Sequence, residues 1–208
     1  MSLHIIDHPL IRHKLGLLRK ESTTTSEFRT IAKEIARMLT YEATKNLPTE
    51  PGTVKGWAGM VDVERISGKK VTIVPILRAG LGLMDGVLDM IPGAKISVLG
   101  LYRDETTHEP VEYYKKFARN LDKRLAIILD PMLATGGSLI SAIDSLKKGG
   151  CPNIYSLNLV CAPEGVDAVL SKHPDVEIFA AALDSHLNED CYIIPGLGDA
   201  GDRIFGTR

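Results

Sequence analysis

Arg124-Leu125-Ala126-Ile127-Ile128-Leu129-Asp130-Pro131-Met132-Leu133-Ala134-Thr135-Gly136-Gly137-Ser138-Leu139-Ile140-Ser141-Ala142-Ile143 opens a stretch that runs on to Lys148 and reads as strand, loop and helix. Leu125 to Leu129 is apolar without alternation, as expected of a strand buried on both faces of a parallel sheet, and Asp130 stands at its carboxyl end. Open α/β sheets bind ligands at that end. Thr135-Gly136-Gly137-Ser138 then offers two residues without Cβ, two hydroxyls and the N–H groups of a helix about to begin, parts that suit a phosphate group. Alone, such a string is only a turn. Set between an apolar strand tipped by an acid and a helix start, it becomes a phosphate cradle with a carboxylate beside it that can accept hydrogen bonds from sugar hydroxyls. The expected ligand is a phosphorylated sugar. A Walker-type loop is excluded, because G-x-x-x-x-G-K-[ST] does not occur.

Outward from this unit the chain alternates between strand and helix patterns. Val71 to Leu77, Lys95 to Leu101, Ile154 to Val160 and Val176 to Ala182 read as strands, and Leu81 to Met90 and Val166 to Ser171 as helices. That order predicts an α/β fold, an open and mainly parallel sheet flanked by helices. Upstream, Pro9 starts a short amphipathic helix ending near Lys20, and Thr24 with Glu27 has the form of a capping box before a second helix. Residues 46–69, rich in Pro and Gly with short alternating pieces, predict a β-arm in which Trp57 is either an interface anchor or a local cover. The polar segment 102–116 is long for a connection inside a compact domain and is expected to be a flexible lid loop.

The 208 residues suffice for one sizeable core, so a single domain over 1–208 is expected. No apolar run approaches the roughly 18 to 20 residues of a membrane span, and the first residues lack the pattern of a signal peptide, so a soluble cytoplasmic protein is expected. Cys151, Cys161 and Cys191 are odd in number without C-x-x-C spacing, which predicts buried free thiols rather than disulfides or zinc. A net charge of -1 gives no global attraction for nucleic acid.

Three further stretches can carry chemistry. In Pro75-Ile76-Leu77-Arg78-Ala79-Gly80-Leu81-Gly82, glycines permit close backbone approach and Arg78 supplies a fork of donors for a diphosphate, or is a solvated turn arginine. Arg103, at the mouth of the polar segment, can neutralise charge on a leaving diphosphate, or is a surface arginine; His108 on the same segment reads as solvated. At the C-terminus, Gly196, Gly198 and Gly201 match G-x-G-x-x-G, but Pro195 precedes them and the residues that remain leave no room for a βαβ unit. A loop presenting backbone N–H and C=O groups to a planar base is the better reading, against a frayed tail.

Asp130-Pro131-Met132-Leu133-Ala134-Thr135-Gly136-Gly137-Ser138 resembles the ribose-phosphate motif of the type I phosphoribosyltransferases, and its wording is similar to that of the uracil phosphoribosyltransferase family. Matching pieces run from His8-Pro9 and Lys14-Leu15-Gly16 to Phe205-Gly206-Thr207. The resemblance implies transfer of ribose 5-phosphate from 5-phospho-α-D-ribose 1-diphosphate to uracil, giving UMP. It implies that Arg78, Arg103, Asp130, Pro131, Met132, Leu133, Ala134, Thr135, Gly136, Gly137, Ser138 and Asp199 hold the phosphoribosyl diphosphate. Residues 186–208 would form a hood in which Ile193, Gly198, Asp199 and Ala200 hold uracil, and Arg103, Asp130 and Asp199 would serve catalysis. Pro131 stands where most type I relatives carry a second acid, so Mg2+ is expected to arrive on the diphosphate rather than on a protein site. Some relatives respond to GTP, a candidate activator here, and a homodimer or higher homo-oligomer is expected. A rival reading, a nucleotide-sensing RNA-binding regulator on the same fold, needs a basic face that neither the net charge nor any Lys/Arg run supplies.

Overall fold

The computed structural model describes residues 2–67, 71–103 and 110–207. In chain order these form β1 (Leu3–Ile5), α1 (Pro9–Arg19), α2 (Thr25–Ala43), β2 (Thr49–Gly56), β3 (Gly59–Ile66), β4 (Val71–Leu77), α3 (Leu81–Met90), β5 (Lys95–Ile96) and β6 (Val98–Arg103). There follow β7 (Pro110–Lys116), β8 (Leu125–Leu129), β9 (Met132–Leu133), α4 (Gly137–Lys148), β10 (Asn153–Cys161), α5 (Pro163–Lys172), β11 (Glu177–Leu183), β12 (His186–Leu187), β13 (Ile193–Ile194) and α6 (Ala200–Phe205).

The main sheet has the order β1-β11-β10-β8-β4-β6-β7, with β5 on β4 and β9 on β10. Every pairing in it is parallel except that of β7 with β6. β8 lies at the centre, and all five of its residues are buried. Its pleat explains the unbroken apolar run. Ile127 and Leu129 pack with α1, α2 and α3 on one face, whereas Ala126 and Ile128 pack with α4 and α5 on the other. Burial of each of its Leu and Ile side chains contributes about 1.5 to 3 kcal/mol.

Local signals place the flanking helices. The Thr24 hydroxyl accepts from the Glu27 N–H while the Glu27 carboxylate accepts from the Thr24 N–H, so α2 starts at a complete capping box. Pro9 and Pro163 open α1 and α5, where a missing N–H costs nothing. β2 and β3 form an antiparallel hairpin, with Trp57 fully exposed at its turn. No helix among the described residues is long and apolar enough to cross a membrane.

Several expectations need correction. The polar segment 102–116 is not one continuous lid loop: Pro110–Lys116 is a strand paired with β6, and Tyr113 lies against Gly100. Its polar composition follows from its place at the sheet edge, exposed along most of its length. Residues 104–109, with His108, lie outside the described residues. The strand expected over Lys95 to Leu101 is broken at Ser97, whose hydroxyl bonds the Thr72 hydroxyl at 2.9 Å and accepts from the Ala118 N–H at 2.9 Å. β1 had no sequence signal and pairs with β11 at the opposite edge. Cys151 and Cys161 are buried free thiols, but Cys191 is exposed.

Candidate active site

Because β4, β6 and β8 are adjacent and parallel, their carboxyl ends deliver Arg78, Arg103 and Asp130 to one edge of the sheet. The backbone of β6 ends at Arg103; the side chain of that residue is not described. Asp130 follows Leu129, and its main chain is fixed from both sides. Its N–H donates to the Leu157 carbonyl at 3.2 Å, and its carbonyl accepts from Asn158 Nδ2 at 2.6 Å. The Asn158 Oδ1 in turn accepts from the Ser156 hydroxyl at 2.5 Å. Ser156 and Asn158 are fully buried, and sequence reading missed both. Two polar residues alternating inside the apolar run of β10 were the available signal.

Beyond Asp130 the chain is tied down rather than loose. The Pro131 carbonyl accepts from the Leu159 and Val160 N–H groups, and Met132–Leu133 forms β9 against β10. Pro131 is buried and does not line the cleft, unlike the other residues of the expected 130–138 set. Gly136 then turns at φ +85°, a left-handed conformation that favours glycine, and hands the chain to α4. No side chain caps α4. Gly137, Ser138 and Leu139 of its first turn line the cleft, at the positive end of the helix dipole.

Ala134 to Ser138, Asp130, and Ile76 to Ala79 surround a cavity of about 180 Å3. Arg78 follows a cis Leu77–Arg78 peptide; its guanidinium lies 3.8 Å from Asp202 and over the Phe205 ring. Gly80, after it, is required by space, since a Cβ there would lie 2.3 Å from the Leu129 carbonyl oxygen. Burial pushes the Asp130 carboxyl up to about 7, against the Met132 N–H, which favours the charged form from 3.5 Å.

A second cavity of about 330 Å3 shares Ala79, Met132 and Ala134 with the first and is closed by Asp190 to Ile193 and Gly198 to Gly201. Ile193 sends its side chain into the core, so its backbone is what remains for a ligand. Ala200 opens α6, a helical turn where sequence reading placed only a loop. Asp199 lies on the wall of this second cavity and not of the first, and its carboxylate accepts from the Asp202 N–H at 2.9 Å as the cap of α6.

The uracil phosphoribosyltransferase family model matches residues 5–207. The AQ2163 protein of Aquifex aeolicus superposes with a TM-score of 0.94 at 39% identity, covering 99% of this chain and 98% of that one. A hypoxanthine phosphoribosyltransferase from Staphylococcus aureus (TM-score 0.51, 14% identity, 88% of this chain and 84% of that one) and one from Trypanosoma cruzi complexed with IMP (0.50, 13%, 81% of each) share the fold. A glycine-rich loop at the carboxyl edge of a parallel sheet, a match over nearly the whole chain and a near-superposable relative agree: the chain belongs to the uracil phosphoribosyltransferase family.

Proposed function

We propose that this phosphoribosyltransferase joins uracil to 5-phospho-α-D-ribose 1-diphosphate, releasing UMP and diphosphate. The observation that carries the reading is the shared wall of the two cavities at Ala79, Met132 and Ala134. A sugar phosphate seated in the first presents its C1 toward a base seated in the second. The 5-phosphate takes the N–H groups of 134–138 and the hydroxyls of Thr135 and Ser138. Asp130 accepts from the ribose hydroxyls, and Arg78 and Arg103 neutralise the diphosphate. Ile193, Gly198 and Ala200 meet the edge of uracil with backbone groups. Asp199 lines the base-side cavity, and we assign it to the base, beside the face it would turn to the diphosphate.

Asp130 is the carboxylate lining the first cavity, and no three His, Cys, Asp or Glu among the described residues gather around a metal. This donor set fits Mg2+ carried by the substrate, held chiefly by phosphate oxygens and water. So bound, the ion offsets charge on the leaving diphosphate. The protein's contribution is positioning and electrostatics: it aligns the base nitrogen with C1, and its arginines favour the charge that grows as the C1–O bond breaks and the C1–N bond forms.

The test is product formation. Protein, uracil, the diphosphate substrate and Mg2+ are expected to yield UMP, and purine bases no nucleotide. Turnover of a purine but not of uracil would overturn the base assignment.

A further inference from the structure

The wall of the base-side cavity has little stiffness of its own. β12 and β13 are two residues each, and α6 is six. What holds this wall comes from the other end of the chain. Arg19, the last residue of α1, donates to both carboxylate oxygens of Asp184, at 2.8 and 2.6 Å, and to the Gly196 carbonyl at 2.6 Å. The Asp184 side chain, only 4% exposed, also accepts from the Gly196 N–H at 2.9 Å. Both backbone groups of Gly196 are therefore held by one ion pair. Arg203 makes the return connection from α6: it donates to the carbonyls of Leu18, Lys20 and Leu197 and stacks on Phe28 at 4.5 Å. The end of α1, whose last carbonyls need partners, is the dock for the hood.

We infer that Arg19 and Asp184 are positioning residues for base recognition, fixing the Gly196 to Gly198 turn so that the backbone beyond it meets the edge of the base. The inference rests on the base occupying the second cavity. Neither residue lines either cavity, so each would act on a base seated there through the turn it holds. The geometry also separates the two subsites. The phosphate cradle is held by β8, β9, α4 and Asn158; Asp184 meets that side through its backbone N–H, which donates to the Cys161 carbonyl of β10 at 2.8 Å, whereas its carboxylate bonds Arg19 and the hood turn. Backbone recognition tolerates little displacement, and a part-buried, bidentate ion pair is a stiff way to prevent it. Removing the Asp184 charge leaves the part-buried Arg19 without its carboxylate, and removing the Arg19 fork leaves the buried Asp184 charge less well paired.

The full-length protein and its Asp184→Asn and Arg19→Lys variants are to be compared by steady-state kinetics, varying base and diphosphate substrate separately, and by amide hydrogen exchange. For Asp184→Asn the expected result is a rise of about tenfold or more in KM for the base, with KM for the phosphoribosyl diphosphate within about twofold, the size of effect set by a lost bidentate charge-assisted pair. Exchange at 194–198 accelerates while 125–140 is unchanged. Arg19→Lys, which keeps the charge but loses the fork, gives a smaller effect in the same direction and serves alone if Asp184→Asn does not fold. Unaltered exchange at 194–198 overturns the clamp. Accelerated exchange with an unchanged KM for the base, or an equal rise in both KM values, overturns the positioning role. If the wild type prefers another base, the uracil assignment fails; the kinetics are then run with that base, and exchange still decides the clamp.

Discussion

Asp130 faces two opposed demands. In the proposed function its carboxylate accepts from ribose hydroxyls, yet burial at the floor of the cleft raises its pKa to about 7, so the ligand-free protein resists ionising it. A raised folded-state pKa contributes stability that is fully present below the ordinary value of 3.8 and lost as pH rises through about 7. Asp130→Asn, which carries no charge to bury, is therefore expected to stabilise the ligand-free protein at pH 8 by on the order of 1 to 4 kcal/mol, a gain that fades toward pH 4. The same change is expected to weaken binding of the diphosphate substrate about 10- to 100-fold, the cost of replacing a charge-assisted acceptor with an amide. Wild-type kcat/KM for that substrate should climb with pH through about 7 and the variant's profile should be flat there. Thermal denaturation at pH 4 and 8, with kinetics between pH 6 and 9, checks both halves; matching curves for the two proteins would remove Asp130 from the ribose site. Gly136 poses a conformational demand instead. With φ at +85° and the Gly165 carbonyl 3.0 Å from any added Cβ, Gly136→Ala is expected to cost about 1 to 2 kcal/mol of stability and to raise KM for the diphosphate substrate, with the base KM much less affected. Equal rises in the two KM values would mean that the loop serves more than the phosphate.

Among the elements, β4, β8, β10 and β11 were readable because burial on both faces imposes predominantly apolar runs, unbroken in β8 and interrupted by Ser156 and Asn158 in β10, and α2 because its cap and its helical spacing agree. The same logic located Asp130, Arg78 and the 134–138 loop, since strand ends and a glycine turn are local features. What escaped was set by partners distant in sequence. β7 is polar because it is an edge strand, so its composition matched a loop; β1 spans three residues and is held by pairing with β11 and by His4 stacked on Phe179. Arg19 and Asp184 lie 165 positions apart, and nothing local marks either. The α4–α5 contact hides another such case. His173 is buried between Lys147 and Asp144, its Nε2 3.2 Å from the Asp144 carboxylate without an aligned hydrogen bond. Burial, and then the nearby Lys147 charge, lower its pKa below the usual 6.5. The unfolded chain thus binds this proton more readily, so the stability contributed is intact above about 6.5 and lost as pH falls through the lower folded value. His173→Phe is expected to flatten the decline of Tm between pH 7 and 5, and an unchanged slope would place the acid sensitivity elsewhere.

At the scale of the whole molecule, the arm is unfinished as it stands in one chain. β2 and β3 pair from Thr49 with Ile66 to Gly56 with Gly59, about 25 Å of isolated hairpin at the usual rise per residue, and a two-stranded hairpin is marginal alone in water. Its exposed Val54, Trp57, Met60, Val61 and Ile66 give it apolar surface that no other described residue covers. On the body, Leu10, Tyr41 and Met90 are likewise exposed beside an apolar groove of about 340 Å3 formed with Ile11 and Met38. We propose that a second copy would cover both apolar surfaces, most simply about a two-fold axis that makes the contact reciprocal. Sedimentation of the purified protein is therefore expected to give a dimer or larger, and Trp57→Ser with Met60→Ser to weaken association about 10- to 100-fold, the usual consequence of losing an aromatic anchor. Both substitutions lie on the arm, away from the two cavities, so circular dichroism of the dissociated variant should match the wild type. A wild-type protein that sediments as a monomer at all concentrations would leave Trp57 as a cover for nothing but its own turn, and would sink the expectation.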